Sequence, residues 1–89
     1  MKRVFKYSLD LTDFQTVELP VGAQILCVQT QMGRPQLWAM VDPAVSAVEL
    51  RGVWIFGTGN PIECGEVTYL GTFQAADGAL VFHVFEELV

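Results

Sequence analysis

Residues 66–87 read EVTYLGTFQAADGALVFHVFEE, and the reading of this stretch decides the fold. Two runs rich in Val, Tyr, Phe, Leu and Thr flank Ala75-Ala76-Asp77-Gly78. Asp-Gly between β-prone runs predicts a hairpin, because Gly takes the positive φ such a turn needs. With 75–78 as the loop, Gln74 pairs with Ala79. Val67, Tyr69, Gly71 and Phe73 then share one face with Leu80, Phe82, Val84 and Glu86. Thr68, Leu70 and Thr72 share the other with Val81, His83 and Phe85. Both faces are bulky and apolar, so the hairpin is expected at the centre of its sheet. Gly71 is expected to make room for the Phe82 ring.

Working outward, the chain shows turn signals about every ten residues. RVFKYSL (3–9) alternates with period two, as a half-buried strand does. Residues 10–13 turn the chain, FQTVEL (14–19) runs back, and Pro20-Val21-Gly22 ends it. AQILCVQTQM (23–32) and QLWAMVD (36–42) form a second hairpin, with residues 32–35 as its loop and Gln29 beside Trp38. PAVSAV (43–48) reads as loop. ELRGVWIF (49–56) is a strand with Trp54 and Phe56 on one side and Val53 and Ile55 on the other, and Gly52 marks a bulge. Residues 57–61 form a loop, and 62–65 lead into the stretch quoted first. The prediction is a single all-β domain, residues 1–89, of six or seven antiparallel strands joined as a meander. A small barrel and a two-sheet sandwich satisfy the pattern equally.

Eighty-nine residues support one modest core. Hydrophobic residues make up 52% and charged ones only 17%, with a mean hydropathy of +0.39. So apolar a short chain is expected to bury surface against another copy, as a homo-oligomer. Ten acids against five bases give a net charge of −5, which excludes a sequence-tolerant nucleic-acid binder needing a cationic footprint. Phosphate mimicry would use such acids, but their spread along the chain fits a solvated surface better. No apolar run reaches the roughly 18 residues of a membrane helix. Lys6, Ser8 and Asp10 interrupt any leader behind Met1-Lys2-Arg3. The expected location is the cytoplasm, with Cys27 and Cys64 reduced.

The candidate binding residues are Trp38 and Trp54, the loop Gly57, Thr58, Gly59 and Asn60, and the bases Arg34 and Arg51. Each tryptophan reads equally as an interface anchor or as core filling. The glycine loop can present backbone amides to an anion, although it lacks the Lys-Ser/Thr of a phosphate loop. Its plainer reading is a tight turn. His83, the single histidine, would need a nucleophile and an orienting acid to act as a base. Thr68 and Thr72 share its expected face, but a strand threonine is a poor nucleophile without special activation. His83 therefore reads as a core or interface residue held by a hydrogen bond. Cys27, within a strand, and Cys64 read as inert. No acid pair has metal-ligand spacing, so neither cofactor nor metal is expected, and no catalytic set assembles.

Five blocks, ELPVGAQIL (18–26), LWAMVDP (37–43), GTGNPI (57–62), YLGTFQ (69–74) and LVFHVFE (80–86), occur in the order found in a family of small phage and prophage proteins. The chain resembles that family over nearly its whole length. The resemblance implies a phage accessory protein in a bacterial cytoplasm, and carries no catalytic residue with it. The expected function is non-enzymatic: binding and inhibiting a host or anti-phage defence protein. A sponge for a nucleotide signal, using residues 57–61 with Arg34 or Arg51, and a virion or assembly component are the alternatives.

Overall fold

The computed structural model describes residues 1–88. Seven strands form: β1 (Arg3–Ser8), β2 (Phe14–Pro20), β3 (Gln24–Gln31), β4 (Arg34–Val41), β5 (Val48–Gly57), β6 (Val67–Ala75) and β7 (Leu80–Glu87). All ladders are antiparallel. They make two sheets, ordered β1-β4-β3 and β2-β5-β7-β6. Leu37, Ala39 and Val41 of β4 face Val53 and Ile55 of β5, Val84 of β7 and Phe73 of β6, all in one buried cluster with Leu9, Leu19 and Val28. Alternation in β4 and β5 therefore does what period two requires, sending one set inward and the other out. The edge strands β3 and β6 lie against each other without sharing a ladder among the described residues, so the barrel does not close.

The connections are not a meander. Only β3–β4 and β6–β7 are hairpins between consecutive strands, and β1 and β2 go to different sheets. Leu9 is 1% exposed, and its N–H donates to Pro35 O at 3.0 Å, which pins the end of β1 to β4. Beyond it, the Gln15 amide closes the turn by itself. Its Nε2 donates to Asp10 O at 2.6 Å while its Oε1 accepts from Asp10 N–H at 3.0 Å. Ile55 N–H donates to Asp13 O. With its backbone groups satisfied in these ways, the segment has no need of a β1–β2 ladder.

Both hairpins turn more tightly, or later, than the sequence suggests. In β3–β4, Gln31 pairs with Arg34 and Thr30 with Pro35, leaving only Met32 and Gly33 as the loop. Both have positive φ, 51° and 79°, the type I′ requirement that matches the twist of paired strands. Gln29 consequently faces Gln36, and Trp38 faces Cys27. Met32, an exposed side chain in left-handed backbone, is a poor residue for this position. Met32→Asn should raise stability by about 0.5–1 kcal/mol, read as a higher denaturant midpoint with unchanged slope.

In β6–β7 the loop is residues 76–79, one position later, and Ala75 pairs with Leu80. The slip moves each pairing by two residues, so Phe73 and Gly71 keep their inward face but meet Phe82 and Val84. A bulge between Tyr69 and Gly71 then breaks the alternation. Tyr69 crosses to the outer face opposite Phe85, contrary to the face expected for it. Gly71 does not accommodate Phe82. A Cβ there would stand 2.9 Å from Val28 O and 3.1 Å from Val28 N, because β6 is an edge strand pressed against β3. Gly52 marks no bulge either; its register with Thr16 is regular, and the Phe14 ring and Glu87 side chain lie over it.

Candidate functional site

The outer face of the four-stranded sheet carries an aromatic row across all its strands. Phe14 of β2 pairs with Trp54 of β5, Trp54 with Phe85 of β7, and Phe85 with Tyr69 of β6. Phe56 extends it along β5. Ring centroids are 4.7 Å apart for Phe14–Trp54, 6.0 Å for Trp54–Phe56, 6.1 Å for Phe56–Phe85 and 5.7 Å for Tyr69–Phe85. These are distances at which aromatic rings attract beyond simple burial. The ends of the row are the most open, with Phe14 40% and Tyr69 59% exposed. The bulge in β6 completes the row, a device by which one extra residue re-aims a side chain.

Beside the aromatics, Phe56 pairs with His83 and His83 with Thr72. His83 is not a core residue. Its Nε2 lies 2.7 Å from Thr58 Oγ1 and its Nδ1 3.1 Å from Thr72 Oγ1. Tyr69 Oη is 2.6 Å from Thr72 Oγ1, and Thr58 Oγ1 is 3.4 Å from Val81 O. One consistent set of donors runs from Tyr69 O–H to Thr72, from Thr72 to Nδ1, from Nε2–H to Thr58, and from Thr58 to the Val81 carbonyl. Either ring tautomer leaves both nitrogens with a hydroxyl partner. Thr68 lies opposite Glu86, away from the ring. The His83 ring thus stands between two threonine hydroxyls on the outer face of the sheet.

The link from β5 to β6 must travel the length of β7, since Gly57 pairs with Phe82 at one end and Val67 with Glu87 at the other. It runs beside the aromatic row and encloses, with Trp54, Phe56 and Asp13, a cavity of about 360 Å³ whose other walls include Asn60, Glu63 and Cys64. Asn60 also borders cavities of about 270 Å³ and 450 Å³ with Gly57 and Phe82. The amides of this loop are largely spent: Thr58 N–H donates to Val81 O and Asn60 N–H to Gly57 O. Gly57, Thr58 and Asn60 also form cavity walls.

Of the other sequence candidates, Trp54 joins this face and Trp38 does not. Trp38 points out of the three-stranded sheet, between Lys6 and Cys27, so the two tryptophans share no surface. Cys27 is half-exposed there, not buried. Arg34 begins β4 in the same sheet. Arg51 turns inward. It donates to both Glu86 carboxylate oxygens, to Ala23 O at 2.9 Å, and to Glu49 at 3.4 Å. The hydrogen bond to Glu86 raises the guanidinium pKa, with burial opposing. These partners hold Arg51 away from the glycine loop. Phe14, Phe85 and Tyr69 were not singled out by the sequence, because partnership across strands depends on register. Among the described residues no three His, Cys, Asp or Glu side chains converge as metal ligands, and no helix is long and apolar enough to cross a membrane.

A family model described as a domain of unknown function, DUF7352, matches residues 1–89. The chain belongs to the DUF7352 family. No curated protein and no solved structure matches it.

Proposed function

We propose that this DUF7352 domain is a non-catalytic binding module whose partner protein docks on the outer face of the four-stranded sheet. The observation that carries this is the row Phe14, Trp54, Phe56, Phe85 and Tyr69. Rigid aromatics offer large contact area for little conformational entropy, and clusters of them are where interface energy concentrates. The resemblance of five sequence blocks to small phage and prophage proteins supports a host protein or a component of anti-phage defence as the proposed partner. A nucleotide sponge is less well served by this geometry: Arg51 is held by Glu86, and the cavity walls carry Asp13 and Glu63.

Site-specific photo-crosslinking in host cells tests the proposal. A crosslinker replacing Phe85 should give a discrete adduct, and one replacing Met40, on the outer face of the other sheet, should not. Tyr69→Lys should remove the adduct while changing stability by no more than about 1 kcal/mol, as exposed substitutions do. Equal adducts from both faces, or one that survives Tyr69→Lys, would overturn it.

A further inference from the structure

The charges of this chain are sorted by sheet. Lys6 and Arg3 on β1 and Arg34 on β4 are cationic, and β1, β3 and β4 carry no acid. In the other sheet Glu18, Glu49, Glu86 and Glu87 are acidic, and its one base, Arg51, faces inward and is held by Glu86. Asp13 and Glu63 add two carboxylates at the cavity beside the aromatic row, and Glu87 accepts from the Trp54 indole N–H at 3.4 Å. Among the described residues, no cation of the chain itself is placed to fill this cavity.

We infer that the cavity between Trp54, Phe56, Asp13 and Glu63 receives an arginine or lysine side chain of the docking partner. This rests on the reading of that face as a docking surface, and names the chemistry that would be recognised there. Aromatic faces present the negative lobe of their quadrupole to a cation, Trp most strongly, and the attraction grows as water is removed. Two carboxylates on the same walls supply charge and hydrogen-bond acceptors for a guanidinium or ammonium. A volume of about 360 Å³ has room for one such side chain. The negative field of the sheet draws a basic segment in and turns an acidic one away.

Nuclear magnetic resonance of the intact chain can read this directly, because Trp38 and Trp54 give separate indole N–H signals that Trp38→Phe assigns. The probe is a capped Gly-Arg-Gly peptide, and its control replaces arginine with citrulline, a neutral isostere. The Trp54 signal should shift saturably with the arginine peptide, and the citrulline peptide should bind roughly tenfold more weakly. Asp13→Asn and Glu63→Gln, neither of which is in the core, should each weaken binding about three- to tenfold. Equal response to both peptides, or no saturable shift at Trp54, overturns the inference. So does tetramethylammonium binding tighter than the peptide, which would make the site one for a small quaternary cation. A Phe85 adduct that persists while charge selectivity is absent sinks only the cation; loss of both sinks the docking face.

Discussion

Gly71→Val should cost about 3 kcal/mol or more and lower the melting temperature by roughly 12–24 °C, the conversion for a domain of this size. Any Cβ at this position meets the backbone of Val28, 2.9 Å from its carbonyl oxygen and 3.1 Å from its nitrogen. A neighbouring side chain could swing aside, but a backbone inside the β3–β4 ladder cannot move without dragging its hairpin along. The β6 edge would have to lift from β3, opening the cluster where Val28 and Phe73 are buried. Gly71→Ala should show the same loss at smaller size. Thermal unfolding followed by circular dichroism measures both. A melting temperature for Gly71→Val within a few degrees of the native chain would show that the two edges are not in contact.

Glu86→Ala is expected to be the next most costly, at about 2 kcal/mol. The side chains of Arg51 and Glu86 are 20% and 13% exposed, so removing the acid strands a guanidinium with little water around it. Wholly buried pairs lose roughly 3–5 kcal/mol when broken, and the remaining solvent access reduces that here. The Glu49 contact, with Glu49 41% exposed, offsets little of it. Replacing both partners, as Arg51→Met with Glu86→Leu, should return to within about 1 kcal/mol of the native chain, since apolar groups of similar volume impose no desolvation cost. Chemical denaturation of Arg51→Met, Glu86→Leu and the double closes the cycle, with Glu86→Ala measured beside them. A double variant no more stable than Glu86→Ala would contradict the account. The pair also has a defined pH behaviour. A base whose folded pKa is raised contributes its full stability below the unfolded value and loses it only as pH rises through the raised one. For Arg51 that window lies in strong alkali, so the pair's contribution should stay constant from neutral to mildly alkaline buffer.

Much of the fold is legible in short-range pattern. The alternation in β4 and β5 sends Leu37, Ala39, Val53 and Ile55 inward and Trp38, Trp54 and Phe56 out, as their spacing requires. The loop at 43–47 and the turn near Asp77 were equally readable, since short polar residues, Pro and Gly carry their own backbone preferences. What escaped was whatever depends on a distant neighbour. Gly71 looked like space for a cross-strand ring, and only the approach of β3 gives it its actual purpose. Arg51 looked like a free base until Glu86, thirty-five positions away, was brought onto it. Tyr69 belonged by alternation to the core face, and one unpaired residue moved it outside.

Residue by residue, then, the sequence determined that the chain is all-β, where most strands run, and which residues of β4 and of β5 share a face, because those follow from period two and local turn chemistry. Tertiary structure alone decided that β1 and β2 part company, that Trp38 and Trp54 face away from each other, and that five aromatics from four strands form one surface. Those outcomes turn on register, a bulge and the partition of strands between sheets. Each is set by packing between segments far apart in the chain, where a single-position slip reassigns a side chain from core to solvent.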